Sequence, residues 1–274
     1  LSAAETKSTR DADLPASVWI PDVSCLSITS GEGVCGKTFL AANLAHCLHL
    51  SGRRVALISA DPDKPDLKEL IGAACTERVG FARANADFGH LPAVSIPELF
   101  RSEQGKPTDV LQAFEQAARY SSVLITDISP WVEFADKMWQ LSDLVIVLCS
   151  PGRERMESSY RIIKRVHSVA PDVRIGVVFN LAETLEEGER YLRKIVQVAR
   201  KFLKVNLRNY GSMVYDEAAV KACEMHMPVV KIKPDSRIAA CISSICQLIQ
   251  MDESAIARRR TEVSREGCGL RRGR

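Results

Sequence analysis

The chain has 274 residues, of which 46% are hydrophobic and 26% charged, and its formal net charge is +3. This composition is typical of a soluble globular protein, and the length suits one large α/β domain or two small ones. No apolar run reaches the roughly 18 residues of a membrane-spanning helix. The first twenty residues contain no apolar core of a signal peptide. We therefore expect a cytoplasmic protein, with a peripheral position at the inner face of the membrane as the alternative.

Positive charge is concentrated at the end of the chain. Seven arginines and two glutamates lie in residues 258–274, so this segment carries +5 and the remainder about −2. Such a segment predicts a basic, solvated and disordered tail over residues 251–274. Weak attraction of the tail to an anionic lipid, a nucleic acid or an acidic partner is the functional alternative. The body is not basic and shows no helix-turn-helix pattern, so we expect no specific nucleic acid partner.

The nine cysteines show no C-x-x-C spacing, and their odd number means that they cannot all pair. We interpret them as reduced thiols of a cytosolic protein. Zinc and iron–sulfur sites are therefore disfavoured.

Residues 1–22, which contain Pro15 and Pro21, predict a disordered leader, and residues 23–250 predict a single domain. Within the domain, short apolar runs alternate with amphipathic patterns, which indicates a mostly parallel sheet with helices on both faces. No pattern stands out in residues 72–105. The predicted strands are 23–29, 54–59, 122–127, 144–149 and 173–179. The predicted helices are 38–50, 133–140, 153–169 and 184–203.

A last helix is predicted after Pro234, with Asp235 or Ser236 as its N-cap. Isoleucines recur on it at a spacing of three and four residues, so one face should pack against the body. A membrane-binding helix is the alternative, but the polar face carries few charges. The four isoleucines are Ile238, Ile242, Ile245 and Ile249.

A glycine-rich loop follows the first predicted strand and opens the first helix. It reads Gly31-Glu32-Gly33-Val34-Cys35-Gly36-Lys37-Thr38 and matches G-x-x-x-x-G-K-[ST]. The glycines let backbone N–H groups converge on phosphate oxygens, and the helix N-terminus adds its positive dipole end. Lys37 is expected to reach the β- and γ-phosphates, and the Thr38 hydroxyl is expected to bind Mg²⁺. We include Phe39, the next residue, in the predicted nucleotide-binding segment.

Two carboxylates follow apolar strands and are candidates for the metal and the attacking water. Asp127 ends the predicted strand 122–127, and Asp61 follows the strand 54–59. Either side chain could instead be an ordinary strand-end cap. Beside a phosphate loop, the functional interpretation is favoured.

The order of these motifs resembles the MinD/ParA branch of P-loop ATPases. The resemblance extends from about Val23 to Ile249 and rests on residues 29–38, the Asp61 loop, Asp127, and residues 143–151. Residues 179–180, 209–218 and 227–230 are similar to the flagellar-number regulator subgroup, FlhG or FleN.

This resemblance implies ATP or ADP with Mg²⁺ as cofactors, slow hydrolysis and a nucleotide-dependent homodimer. It implies a catalytic role for Lys37 and Asp61, Mg²⁺ ligation by Thr38 and Asp127, and an adenine contact from Asn180. It also implies a protein partner, such as a flagellar or secretion-apparatus component.

Four positions depart from the family pattern. Glu32 stands where a signature lysine would reach the partner's phosphates, and Val34 stands at a glycine position. Ser59 replaces the first aspartate of an Asp-x-Asp pair, and Trp131 replaces a glycine that would offer its backbone to the γ-phosphate. A carboxylate at position 32 repels a triphosphate, so the homodimer should be weakened and hydrolysis slow or lost.

Two classes of function therefore stay open, an ATP-switched regulator and a non-hydrolysing scaffold that acts by binding a partner. A DNA-partitioning ATPase of the ParA type is a third alternative with less support. Cys35 is a further open case, because a helix N-terminus activates a thiol, whereas a small apolar filler would be inert.

Overall fold

The computed structural model describes residues 23–31, 36–60, 74–75, 81–83, 92–95 and 107–252. The predicted leader and most of the predicted tail lie outside these residues. Nine strands are present in the described ranges: β1 (Ser24–Ser30), β2 (Val55–Ala60), β3 (Ala74–Cys75), β4 (Phe81–Arg83), β5 (Pro92–Ser95), β6 (Val123–Ile128), β7 (Leu144–Cys149), β8 (Arg174–Ala182) and β9 (Arg208–Val214).

The helices that the structure describes connect these strands. They are α1 (Lys37–Leu50), α2 (Pro107–Tyr120), α3 (Ala135–Gln140), α4 (Arg153–Val169), α5 (Leu185–Leu203), α6 (Glu217–Glu224), α7 (Val229–Ile232) and α8 (237–252). The predicted helix 133–140 begins two residues later than expected. Helix α8 continues to Asp252, two residues beyond the predicted end of the domain at residue 250.

The strands form one sheet in the order β3-β4-β5-β2-β6-β1-β7-β8-β9. The six pairs that join β5, β2, β6, β1, β7, β8 and β9 are parallel, whereas the β3–β4 and β4–β5 pairs are antiparallel. The predicted fold class is therefore confirmed. Strands β3, β4 and β5 lie in the interval 72–105, where no pattern stands out in the sequence because strands of two to four residues are too short to show a period.

Apolar helix faces cover both sides of the sheet. Helices α2 to α5 pack on one face, and α1, α6, α7 and α8 pack on the other. The four isoleucines of α8 are at most 2% exposed, which confirms that this helix packs against the body. Ser236 is its N-cap, since its Oγ accepts a hydrogen bond from the Ala239 amide at 3.3 Å.

Strand β1 lies at the centre of the sheet and carries hydroxyl side chains in the core. The Ser27 Oγ is 2.6 Å from the Thr126 Oγ1 and 2.7 Å from the Ser142 Oγ. These hydrogen bonds offset the cost of burying the hydroxyls. None of the helices in the described ranges is both long and apolar enough to cross a bilayer.

Candidate functional site

The candidate site lies at the carboxyl-terminal edge of the sheet, where β1, β2 and β6 end. The chain passes from β1 through α1 to β2 on one side of β1, and from β6 through α3 to β7 on the other. Ligands of open parallel sheets bind at such a reversal of strand order. Gly31 follows β1 here, and Gly36 immediately precedes α1.

Gly36 can be occupied only by glycine without strain, both because of its backbone conformation and because a side chain there would clash with Asn180. Its φ is +84°, in the left-handed region. A Cβ at this position would lie 2.6 Å from the Nδ2 atom of Asn180. Asn180 is buried in β8. The fold thus brings together two residues that the sequence predicts for nucleotide binding.

Thr38 and Asp127 meet in the crevice between α1 and β6. The Thr38 hydroxyl donates to the Asp127 Oδ2 at 2.5 Å, and Asp127 is fully buried. Ser59 lies directly opposite Asp127 in the register of β2 and β6. A hydroxyl and a carboxylate are hard oxygen donors, which are the ligands that Mg²⁺ prefers. The pair therefore fits the predicted magnesium site.

Lys37 is the first residue of α1, and its side chain is buried. Its ammonium group is therefore shielded from solvent. Phe39 is half-buried and packs against the apolar cluster around α1. A contact between Phe39 and nucleotide stays a prediction.

Sequence reasoning missed Ser158 on α4, which holds the start of the phosphate loop. Its Oγ donates to the Gly31 carbonyl at 2.7 Å, and a Cβ on Gly31 would lie 2.5 Å from the Ser158 carbonyl carbon. Glycine at position 31 therefore allows close helix packing. No local signal identifies Ser158, because the contact joins residues 127 positions apart.

Arg165, also on α4, braces the turn that follows Asp127. Its guanidinium donates to the Pro130 carbonyl at 2.5 Å, lies 2.9 Å from the Asp136 carboxylate and stands over the Trp139 ring at 5.1 Å. Trp131 in the same turn is 69% exposed. The turn is fixed by α4, while the side chain that replaces the family glycine extends outward.

The remaining predicted site residues lie outside the described ranges. They are Glu32, Gly33, Val34, Cys35 and Asp61. Their roles stay predictions. In the part of the chain that the structure describes, no group of three or more His, Cys, Asp or Glu side chains could hold a metal ion.

Known proteins share both the sequence pattern and the fold. The chain is 24% identical over 242 residues to the antiactivator FleN of Pseudomonas aeruginosa, covering 83% of this chain and 86% of FleN. It is 21% identical over 259 residues to the flagellum site-determining protein YlxH of Helicobacter pylori, covering 88% and 86% of the two chains.

Among solved structures, the septum site-determining protein MinD of Pyrococcus horikoshii, complexed with Mg-ADP, superposes with a TM-score of 0.68 at 15% identity. The match covers 83% of this chain and 96% of MinD, and it supports the fold. The profile of the CobQ/CobB/MinD/ParA nucleotide binding domain matches residues 26–229. With its phosphate loop, its Thr38–Asp127 pair and this match, the chain belongs to the CobQ/CobB/MinD/ParA family of nucleotide-binding proteins.

Proposed function

We propose that this protein is a nucleotide-dependent regulatory switch of the MinD/FlhG type, which binds ATP or ADP with Mg²⁺ and acts through a protein partner. The observation that carries this proposal is the hydrogen bond between Thr38 and Asp127 beside the phosphate loop. A hydroxyl and a carboxylate in contact at that place are suited to hold a magnesium ion on the phosphates.

In this proposal, different residues of the site contact the phosphates, the magnesium ion and the base of the nucleotide. Backbone amides of the loop and Lys37 would bind the phosphates, and Thr38 and Asp127 would hold Mg²⁺ directly or through water. Asn180, which lies against Gly36, would contact the base. When bound, Mg²⁺ would neutralise phosphate charge.

Slow or absent hydrolysis is part of the proposal. Ser59, near the end of β2 and opposite Asp127, supplies a hydroxyl where the family pattern has a carboxylate. The turn that contains Trp131 is fixed by Arg165, so its backbone is not free to follow a γ-phosphate. Glu32 adds negative charge where the family carries a lysine. These residues support a binding switch more than a fast enzyme.

We propose the protein partner from the names of the relatives, and the location in the cell from the positive charge of the tail. YlxH carries a flagellar name, which supports a partner in flagellar or secretion-apparatus assembly. A nucleotide-dependent homodimer, weakened by Glu32, is the proposed form of the switch. The basic tail would add a weak contact to an anionic surface.

Isothermal titration calorimetry with Mg-ATP and Mg-ADP tests the proposal, alongside a phosphate-release assay on the same sample. We expect saturable heat with both nucleotides and little phosphate release. Lys37→Ala should remove the heat, whereas Lys201→Ala, an exposed lysine at the far end of α5, should leave it unchanged. Absence of heat with the wild type would instead favour the nucleotide-free scaffold.

A further inference from the structure

Two cysteines from distant parts of the chain meet between the first and the last helix. Cys47 lies in α1, and Cys246 lies in α8. A hydrogen bond joins their side chains, with the Cys246 thiol as its donor. Both cysteines are reduced in this structure. The fold therefore brings two thiols into contact that no local sequence pattern pairs.

A second contact, one helical turn further on, fixes the same alignment of the two helices. The Gln250 Nε2 donates to the Ser51 Oγ at 2.7 Å. Ser51 follows Cys47 by four residues, and Gln250 follows Cys246 by four, so each pair of residues lies on one stripe of its helix. Helices α1 and α8 therefore run side by side in the same direction, with Cys47 facing Cys246.

Burial differs between the two sulfurs. Three isoleucines of α8 pack into the apolar cluster that contains α1, and Cys246 lies among them with 4% of its surface exposed. Cys47 is half-buried at the edge of the same cluster. A small oxidant from solvent therefore reaches Cys47 first, while Cys246 waits behind it. The three isoleucines are Ile242, Ile245 and Ile249.

Cys47 is also the more nucleophilic of the half-buried cysteines. The hydrogen bond from Cys246 holds the pKa of Cys47 below its ordinary value, although burial opposes this shift. The opposite holds for Cys223 of α6, since burial and the neighbouring Glu224 raise its pKa. A thiolate is the form that attacks a peroxide. Access and thiolate character thus coincide at Cys47.

We propose that Cys47 and Cys246 are a site of reversible oxidation, at which a peroxide produces a disulfide that locks α8 onto α1. Cys47 as thiolate attacks one oxygen of hydrogen peroxide, which gives a sulfenic acid and a hydroxide that is protonated to water. The Cys246 sulfur then attacks the sulfenic sulfur, and the hydroxyl leaves with the thiol proton as a second water. The two thiols lose two electrons and two protons in total, and the peroxide is reduced. Glutathione or another thiol reverses the reaction by exchange.

Peptide mapping of the full chain tests this disulfide without nucleotide, so its result does not depend on the proposed nucleotide switch. Reduced protein is treated with hydrogen peroxide at neutral pH, alkylated with iodoacetamide and digested with trypsin. We expect a product that joins residues 38–53 to residues 238–258 and that dithiothreitol separates.

The second peptide also contains Cys241, which serves as the matched control. Cys241 precedes Cys246 by five residues, which places it about 140° away around the helix axis. Cys241→Ser should therefore give the same cross-link as the wild type. Cys246→Ala should abolish the cross-link even though Cys241 stays on the peptide.

Thermal melts provide a second readout. A bond between residues 47 and 246 closes a long loop and lowers the entropy of the unfolded chain, so the oxidised wild type should melt at least about 5 °C above the reduced protein. Dithiothreitol should remove the difference. Cys47→Ser and Cys246→Ala should show no shift on oxidation, and Cys241→Ser should show the full shift.

Alkylation rates of the reduced protein test the role of the contact itself. Cys47 should react with iodoacetamide at least about threefold faster than Cys223. Cys246→Ala removes the hydrogen-bond donor and should slow the reaction of Cys47 at least about threefold. A merely structural contact would leave this rate unchanged, or would raise it as the smaller side chain opens space.

Three results would overturn the proposal. They are oxidation of Cys47 to a sulfinic acid or to a disulfide with another cysteine in place of the expected cross-link, equal melting temperatures of the oxidised and reduced wild type, and formation of the cross-link in Cys246→Ala.

Discussion

At the scale of single residues, Gly36 and Gly52 allow a controlled test of the site. Both have a left-handed backbone, with φ of +84° and +81°. A Cβ on Gly36 would displace the Asn180 side chain, whereas a Cβ on Gly52 meets nothing within 4 Å. Each change to alanine should cost about 1–2 kcal/mol of unfolding free energy through backbone strain. Only Gly36→Ala should also weaken Mg-ADP binding, by at least about tenfold.

Thermal melts and calorimetric titrations of the two variants measure these effects. Comparable melting temperatures together with a selective loss of affinity in Gly36→Ala are expected. If Gly52→Ala loses the same affinity, general destabilisation explains both variants and the Asn180 contact is irrelevant to binding.

Glu32 is expected to place a negative charge at the interface of the nucleotide-dependent homodimer. Two such glutamates facing two nucleotides would bring anionic groups together, and burying unpaired charge is costly. Glu32→Lys should therefore strengthen ATP-dependent dimerisation by at least about tenfold, because it turns repulsion into attraction. Sedimentation velocity with a non-hydrolysable ATP analogue measures this.

Glu183→Lys, an exposed charge change at the same edge of the sheet, is the matched control and should leave the dimerisation constant unchanged. Tight dimerisation of the wild type, or weaker dimerisation of Glu32→Lys, would contradict the prediction.

At the scale of secondary-structure elements, Asp216 connects two helices at the carboxyl-terminal edge. It is the N-cap of α6, where its Oδ1 accepts from the Ala218 amide at 2.9 Å, and its Oδ2 accepts from the Ile238 amide of α8 at 3.3 Å. These bonds, the Ala218 amide foremost, hold the pKa of Asp216 below its usual value of 3.8. Its contribution to stability is therefore complete above about pH 4 and is lost as the pH falls through the lowered pKa.

Asp216→Ala should lower the unfolding free energy by about 1 kcal/mol at neutral pH, and the difference from wild type should shrink below pH 4. Urea titrations at several pH values measure it. The uncharged N-cap of α5 is the comparison, since Thr184 accepts from the Glu187 amide at 3.1 Å. Thr184→Ala should cost a similar amount at neutral pH, where Glu186, whose pKa is lowered by its own backbone amide and by the Thr184 hydroxyl, is ionised. A loss in Asp216→Ala that does not change with pH would refute the role of its charge.

At the scale of the whole molecule, Tyr210 joins the edge of the sheet to the last helix. Its hydroxyl donates to the Asp252 Oδ2 at 2.7 Å, and its ring packs against Gly176 of β8, where a Cβ would be 2.3 Å from the ring. Burial, together with the neighbouring Asp252, raises the pKa of this hydroxyl. It therefore stays protonated and able to donate over the range in which the protein is folded.

Tyr210→Phe should lower the unfolding free energy by about 1–2 kcal/mol, since it removes a hydrogen bond to a charged group. For a chain of this size, each kcal/mol corresponds to about 2–4 °C in Tm. Tyr215→Phe, in which the parent side chain is 61% exposed, should leave the Tm unchanged. Equal melting temperatures for Tyr210→Phe and wild type would show that Asp252 is held by Arg208 alone.

Local patterns were sufficient for the principal elements and for part of the site. The strands at 122–127 and 144–149 were predicted within one residue because continuous apolar runs suit a strand buried on both faces. Thr38 and Asp127 were predicted as partners from a motif and a strand end, and the structure brings them together. Gly36 and Asn180 meet in the same way.

The sequence by itself determined the alternation of strand and helix, the phosphate loop and the basic tail, because each depends on residues close together in the chain. Only the tertiary structure decided the order of the strands, the hydrogen bond from Ser158 to Gly31, and the hydrogen bond from Arg165 to Pro130 in the turn after Asp127. Such contacts join residues that are far apart in the chain, so no local period or motif encodes them; they arise only when the parallel sheet fixes which helix ends and loops become neighbours.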